Sequence, residues 1–431
     1  MKRAAQWALL ALLVLCAGVP GALAEVQPGD LIDKTNCEKI EGLVPDFILM
    51  WVKTGDLTLK IGKLSYDPTR FWSQEVLDNW QANVERYTVD ENNGIADKAT
   101  GQPVRGVKGL PFPEPDPSHP RLPMMLLWNI QFVQYFLPGN LREMQFWLSY
   151  TRKNLEKTVQ LENLQLLLDP AKSKYDYSQI SLFRSPFNLS GIGSLATYCL
   201  YPLHDGLRFA YAPELRRMKR LSHRIHGSDV QFGFDQAPDD SWVGGPKTNM
   251  EEGEYRTLGE RDALVPYFSE DPVLLDWSPK GDLKLGYAGT GIELSTGHET
   301  PGWTGAIWHF TKVTWVKSRV YVFESRSKDP GYAYGACEGW VEKGTFSSCY
   351  KRIADPGGKL WKGMYSPAMG MGSKDGKVRM IDNLGSVEVD MRRDHGSTYP
   401  LSYRKGGYKE MQVKDMDENL FMEGGFARYS R

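Results

Sequence analysis

Alternation of apolar and polar residues recurs along most of this 431-residue chain. Three stretches show it most clearly, and their apolar positions are Leu57, Leu59 and Ile61, then Leu283, Leu285 and Tyr287, then Val387, Val389 and Met391. Because successive residues of a strand point to opposite faces of a sheet, this period of two predicts half-buried antiparallel strands. Residues 320–323 are apolar on both faces and predict a strand deeper in the sheet. The pattern therefore predicts a mainly β fold.

Helical periodicity is scarcer. It occurs in residues 73–84, with Ser73 as the predicted N-cap, and around residues 124–137. Residues 110–120 are rich in proline, which lacks the N–H that a central strand needs, so this stretch is predicted to be a stiff connector. Strand character continues to Met391 without a compositional break. Residues 25–431 are therefore predicted to form a single β-rich domain with helical and loop insertions.

The first residues have the pattern of a cleavable signal peptide. Lys2 and Arg3 precede an apolar stretch, residues 8–19, and a small-residue cleavage site at residues 22–24. The apolar stretch is shorter than the roughly 20 residues that a membrane-spanning helix needs, and no later stretch approaches that length. Residues 1–24 are thus predicted to direct export, and the mature protein is predicted not to span a membrane.

The net charge of the chain argues against one class of partner. The formal net charge is −1, which argues against nucleic acid as a partner, because nucleic-acid binding requires many cations to neutralise phosphates.

Four cysteines follow the signal peptide, namely Cys37, Cys199, Cys337 and Cys349. An even number in an exported protein predicts two disulfides. Cys337 and Cys349 flank a short segment with turn character and are the favoured pair, but the sequence leaves the pairing open.

Signatures of catalysis are nearly absent. The chain has no Gly-x-Ser-x-Gly turn, no phosphate-binding Gly-rich loop with lysine and no His-Glu-x-x-His motif. His223, His226 and Asp229 could bind a metal only if they lay on a helix, since residues three apart on a strand point to opposite faces. We therefore predict no catalytic residue, no metal site and no cofactor, although a hydrolase with an unrecognised constellation stays a third hypothesis.

The aromatic content suggests a cavity. Aromatic residues make up 12% of the chain and include 13 tryptophans, which is more than a core of this size requires. Together with many amphipathic strands, this excess favours a curved sheet around an apolar ligand. Core packing is the alternative for each residue singly. The predicted cavity-lining residues are Trp128, Trp147, Trp308, Trp315, Tyr321 and Phe323.

A dense cluster of cations follows Pro213, namely Arg216, Arg217, Lys219 and Arg220. On a strand, Arg217, Lys219 and Leu221 would share one face and the remaining residues the other. In one interpretation the cations form surface ion pairs with Asp235, Asp239 and Asp240, which contribute little stability. In the other they lie at the rim of an apolar cavity, with Asp239 and Asp240 nearby, and bind an anionic head group through guanidinium forks.

Several motifs in order resemble a known family. They are residues 109–115 with residues 127–129, then residues 211–220, then Asp239 and Asp240, residues 265–267, residues 319–324 and residues 355–361. The most specific are Pro111, Phe112 and Pro113 with the downstream Asn129, and the arginine-rich tract. In this combination the chain resembles the family known as domain of unknown function 1329 (DUF1329), which comprises exported proteins of Gram-negative bacteria.

That resemblance implies a fold and a function. The family is similar to the lipoprotein carriers LolA and LolB, in which a curved antiparallel sheet forms an incomplete barrel and helices cover an apolar cavity. The resemblance therefore implies a periplasmic carrier for a lipid or another hydrophobic molecule, working with an exporter of the RND type and an outer-membrane barrel protein. The alternative is a scaffold or assembly subunit that docks onto such an exporter or barrel with a filled interior and no ligand.

Overall fold

The structure is a computed structural model that describes residues 25–201, 206–214, 216–221, 234–237, 240, 242, 253–286, 294–400 and 406–430. The predicted signal peptide lies outside these residues, as do Asp239 of the predicted rim and the possible metal ligands His223, His226 and Asp229.

Four α-helices lie within the described residues, namely α1 (Asp46–Thr54), α2 (Gln74–Arg86), α3 (Leu122–Gln131) and α4 (Glu423–Tyr429). A π-helical turn, Phe132–Phe136, continues α3. The two predicted helical regions are thus confirmed, although the Ser73 side chain makes no capping hydrogen bond to α2. None of the helices that the structure describes combines the length and the apolar character needed to cross a membrane.

Strands make up most of the regular structure. The first eleven are β1 (Leu31–Ile32), β2 (Leu59–Gly62), β3 (Tyr87–Val89), β4 (Ile95–Asp97), β5 (Leu141–Thr151), β6 (Leu155–Leu167), β7 (Tyr177–Ser185), β8 (Gly193–Tyr198), β9 (Leu207–Ala212), β10 (Arg217–Arg220) and β11 (Gly253–Tyr267). The others are β12 (Val273–Leu275), β13 (Leu283–Gly286), β14 (Thr314–Ser327), β15 (Ala336–Glu342), β16 (Ser348–Ala354), β17 (Leu360–Tyr365), β18 (Ala368–Ser373), β19 (Arg379–Asn383), β20 (Gly385–Asp390), β21 (His395–Pro400) and β22 (Tyr408–Met411). The predicted strands are present as β2, β13, β14 and β20.

Most strands join one antiparallel sheet. Hydrogen-bonded neighbours follow the order β11-β14-β15-β16-β17-β20-β21-β5-β6-β7-β8-β9-β10, and β22 pairs with the part of β5 that β21 leaves open. The two ends, β10 and β11, do not pair with each other among the described residues, so the sheet is not closed into a barrel. The predicted fold class, a large curved antiparallel sheet with covering helices, is confirmed.

One face of the sheet packs against helices, and we call it the outer face. On this face the ring of Tyr350 of β16 lies 6.3 Å from the ring of Phe47 of α1. The ring of Tyr365 of β17 lies 6.3 Å from the ring of Trp51 of the same helix. Farther along the sheet, Phe426 of α4 packs 6.2 Å from Tyr211 of β9. Burial of these large rings stabilises the sheet from outside. The opposite, inner face contacts the π-helical turn, whose Tyr135 ring stacks on that of Tyr177 of β7, and it also lines a cavity.

The Pro-Phe-Pro motif has a structural role here. Residues 111–120 contain no strand, as predicted for a proline-rich connector. Asn129 is fully buried on α3, and its side chain accepts a hydrogen bond from the Phe112 N–H (3.1 Å) and donates one to the Phe112 carbonyl (2.6 Å). Because Pro111 and Pro113 carry no N–H, the amide of Asn129 supplies the partner that a neighbouring strand would otherwise provide.

The predicted cysteine pairing is not present. The register places Cys337 of β15 opposite Ile353 of β16, whereas Cys349 lies four positions along the strand, beside Val341. Four residues of a strand span roughly 13 Å, which is far beyond disulfide reach. Cys37 and Cys199 are also buried, and the structure contains no disulfide between any of the four.

Candidate functional site

A cavity of about 520 Å³ opens on the inner face of the sheet. Its walls come from β5 to β9 on one side and from β16, β17, β19, β20, β21 and β22 on the other, so the sheet curves around it. The main apolar lining residues are Leu141, Trp147, Leu161, Phe183, Ile192, Met364 and Tyr399. The main polar ones are Glu143, Gln145, Asn163, Gln179, Ser181, Ser194, Arg208, Asn383 and Lys409. The cavity is therefore amphipathic.

A row of polar residues crosses the cavity floor. Directly opposed residues of an antiparallel pair point to the same face, and the register aligns Lys409, Glu143, Asn163, Ser181, Ser194, Ala210 and Lys219 in that order. We call these residues the polar row. Exposure increases along it, from 3% at Lys409 and Glu143 to the exposed Lys219. The row thus runs from a closed end at β5 and β22 to an open edge at β10.

The closed end holds buried charge. Lys409 Nζ forms an ion pair with Asp382, which is fully buried beside it. Glu143 faces Lys409 across the strands, and its Oε2 accepts a hydrogen bond from Gln145 Nε2 at 2.5 Å. Burial raises the pKa of Glu143, and Lys409 opposes that shift only in part. Glu143 Oε1 has no hydrogen-bond partner in the part of the chain that the structure describes.

The predicted cation cluster lies at the open edge. Arg216 occupies a left-handed turn (φ 48°), and Arg217 to Arg220 form β10. Since Lys219 pairs with Ala210 and Leu221 lines the cavity, Arg217, Lys219 and Leu221 are on the inner side, whereas Arg220 is opposite Phe209 on the outer side. All four cations are exposed, and none forms an ion pair with another described residue. Asp235 and Asp240 therefore form none of the surface ion pairs of the first interpretation, and Asp239 lies outside the described residues.

Phe234 to Ala237, Asp240 and Trp242 cover part of the inner face, and we call them the roof segment. Gln236, Ala237 and Trp242 line the cavity, and the Phe234 ring lies 5.6 Å from the Trp147 ring. Trp242 packs at 3.9 Å over the ammonium of Lys351, and its Nε1 donates no hydrogen bond to any described residue. The roof segment thus borders the cavity and contacts the inner face beside it.

Asp240 is not at a rim, which corrects the prediction from the sequence. It is fully buried, and its carboxylate lies 2.6 Å from Lys362 Nζ, which also lies 3.2 Å from Glu388 and donates to the Asp235 carbonyl. Burial and the Asp240 carboxylate raise the pKa of Glu388. Burial also pushes the pKa of Asp240 upward, but Lys362, the hydrogen bond with Glu388 and Lys351 together outweigh it, and the pKa is lowered. Of the two acids, Glu388 is thus the one that binds a proton more readily, and Lys362 holds the roof segment.

His395 provides a second attachment for the roof segment. Its Nδ1 lies 2.7 Å from Asp235 Oδ2, and its Nε2 lies 3.1 Å from Glu156 and 3.3 Å from Ser149 Oγ. This geometry resembles a Ser-His-Asp triad, which would require a neutral ring that accepts the serine proton. Here the hydrogen bond with Asp235 raises the pKa of His395, and Glu156 competes for the same nitrogen. In its protonated form the ring lies between two carboxylates and acts as an ionic clamp.

Among the predicted cavity residues, Trp147 lines the cavity. Trp128 instead lines a separate pocket of about 40 Å³, and its Nε1 donates to the Asn93 carbonyl. Trp308 and Trp315 are each 1% exposed and pack among aromatic rings. Tyr321 and Phe323 are also buried, with Phe323 against Trp242 of the roof segment. The prediction that these five residues line the main cavity was wrong. They belong to the core, because most of the aromatic side chains fill the interior.

Three charged residues that line the cavity were not predicted from the sequence, namely Glu143, Arg208 and Lys409. On β5, Glu143 faces inward at 3% exposure while Met144 and Phe146 are half-buried on the outer face. The usual assignment of apolar residues to the interior is thus reversed here. A usable signal was the run of opposed polar positions on β5, β6 and β7, but recognising it requires the strand register.

No protein-family model and no curated protein matches the sequence. Similar solved structures include a domain named for outer-membrane lipoprotein sorting from Vibrio parahaemolyticus, which is 14% identical, with 70% of this chain and 97% of that chain covered and a TM-score of 0.45. A DUF1329 family protein from Desulfovibrio piger is 12% identical, with 69% of this chain and 95% of that chain covered and a TM-score of 0.43. A LolA superfamily protein from Nitrosomonas europaea is also 12% identical, with 69% of this chain and 96% of that chain covered and a TM-score of 0.38. The similar structures thus include the families that the sequence motifs resemble.

Proposed function

We propose that this protein is a periplasmic carrier that binds a hydrophobic molecule with some polar groups. The observation that carries the proposal is the cavity of about 520 Å³ on the inner face, which is within the range of about 300–1,000 Å³ typical of small-molecule sites. Its apolar walls supply affinity through burial of the cargo, and the polar row gives that cargo a defined orientation. The scaffold hypothesis requires a filled interior, so the cavity favours a carrier.

We place the mouth of the cavity at β10. Exposure of the polar row is highest there, and Arg217 and Lys219 belong to the inner side of that strand. Cations at a mouth attract anionic membrane surfaces. We further propose, from the family resemblance, that cargo is exchanged with an envelope export system such as an RND-type exporter or an outer-membrane barrel protein.

The proposal is tested by blocking the cavity. Ala210 lies on the floor, and Ala210→Trp would place an indole in the space that the cargo needs. Leu274→Trp is the matched control, because it adds an indole at an exposed position of β12. Uptake of the fluorescent probe N-phenyl-naphthylamine is measured for delipidated protein. We expect saturable uptake by the unmodified protein and the control but not by Ala210→Trp, and equal uptake by all three, or none by any, would contradict the proposal.

A further inference from the structure

Two residues that line the cavity each have a buried side-chain atom with unused hydrogen-bonding capacity. Glu143 is 3% exposed, and its Oε1 has no partner among the described residues. The Nε1 of Trp242, which is 1% exposed, has no acceptor among them either. A buried polar atom without a partner costs free energy, and a water molecule, an ion or a ligand can supply the missing hydrogen bond. Both residues line the cavity, so the missing partners would come from a bound molecule.

The charge at the closed end restricts what that molecule can be. Lys409 is already neutralised by Asp382, so a second anion next to it would lie close to two carboxyl groups. A cationic head group is also disfavoured, because burial raises the pKa of Glu143 and leaves it less negative charge to offer. An uncharged hydroxyl fits best, since it can donate to the carboxyl group and accept from it.

We propose that the Glu143 end of the cavity is the head-group site for an uncharged hydroxyl on an otherwise apolar cargo, such as a long-chain or polycyclic alcohol. The next members of the polar row, Asn163 and Ser181, are joined by a hydrogen bond of 2.7 Å and extend the polar floor toward the mouth. The apolar body of the cargo lies against Trp147, Leu161 and Phe183. This inference rests on the proposed carrier function and deepens it.

The first test compares head groups on one chain length. Displacement of N-phenyl-naphthylamine from delipidated protein is measured with lauryl alcohol, lauric acid and laurylamine at neutral pH. One additional neutral hydrogen bond corresponds to about a fivefold difference in affinity, so we expect lauryl alcohol to bind about fivefold more tightly than either charged analogue. Equal affinities, or tighter binding of lauric acid or laurylamine, would overturn the head-group site while leaving the carrier function in place. Absence of probe uptake would instead remove the carrier function itself.

The second test changes the site. Glu143→Met keeps a side chain of similar length without the carboxyl group, and we expect it to remove the preference for lauryl alcohol while probe binding persists. The same substitution should raise Tm, because it removes a buried carboxyl group with an unsatisfied oxygen. Because a raised pKa destabilises the folded state as pH increases, the gain in Tm should be larger at about pH 8 than at about pH 5.

The matched control is Ser194→Ala, which removes a hydroxyl of the polar row nearer the mouth and should keep the preference for the alcohol. Glu143→Gln, which retains hydrogen bonding, should also keep the preference for the alcohol. If Glu143→Met does not fold, Glu143→Gln replaces it in the test. A preference for lauryl alcohol that survives in Glu143→Met, or is lost in Glu143→Gln, would refute the assignment.

Discussion

The two faces of the sheet are built from the same strands but have opposite characters. On β17 the outer residue Tyr365 is fully buried among aromatic rings, whereas its neighbours on the inner face are Met364, which lines the cavity, and Lys362, which binds two carboxyl groups. On β20 the outer residue is Val387 and the inner residue is Glu388. The outer face thus stabilises the fold, and the inner face combines buried charge with an open space. The difference indicates that function belongs to the inner face.

The largest expected effect is a difference in stability between substitutions at two adjacent residues, one on each face. Tyr365→Ala should lower the free energy of unfolding by about 3–5 kcal/mol, because it leaves a void in a packed aromatic cluster. Met364→Ala should cost only about 1–2 kcal/mol, since its side chain already borders an open cavity. Urea denaturation of both variants measures the difference. A larger loss for Met364→Ala would mean that the inner face is as tightly packed as the outer one.

The next effect concerns the attachment of the roof segment. Lys362→Met leaves Asp240 and Glu388 without their shared cation, and we expect a loss of about 3 kcal/mol, limited by protonation of Glu388. Hydrogen exchange should also become faster in residues 234–237. Lys359→Met, at an exposed position near β17, is the control and should change neither quantity. Unchanged exchange in residues 234–237 would show that Lys362 does not hold the roof segment.

The smallest expected effect is a dependence on pH. The hydrogen bond with Asp235 raises the pKa of His395, and Arg393, 3.4 Å from Asp235, opposes the shift. Because a raised pKa stabilises the folded state below the ordinary value of about 6.5, that contribution is lost as the pH rises through the folded-state pKa. The Tm of the unmodified protein should therefore decrease over this interval relative to that of His395→Gln. Parallel Tm profiles would exclude an ionic clamp at His395.

Alternation in the sequence was sufficient to predict β2, β13, β14 and β20 and a mainly β fold, because it assigns residues to two faces, whereas the incomplete barrel was implied by the family resemblance. It did not indicate what covers each face. Glu388 and Asp390 were expected to face solvent on a half-buried strand, but the structure buries both, and Glu388 lies with Asp240 and Lys362. Contacts between residues far apart in the sequence decide whether these side chains are buried.

The site was less accessible from the sequence than the fold. The cations at β10 were placed correctly on a strand, and Trp147 was identified among the lining residues. Glu143 and Lys409 were missed, since they are 266 residues apart in the chain and become neighbours only through the pairing of β5 with β22. Aromatic composition could not distinguish Trp147 from Trp315, because both cavities and cores use large rings.

Native mass spectrometry of the protein purified from the periplasm of its own host tests the central claim most directly. We expect a bound molecule in a one-to-one complex, released by organic solvent, and no such complex for Ala210→Trp. Protein that repeatedly carries no molecule, and that binds no apolar alcohol after delipidation, would contradict the claim that the inner face encloses a cargo site.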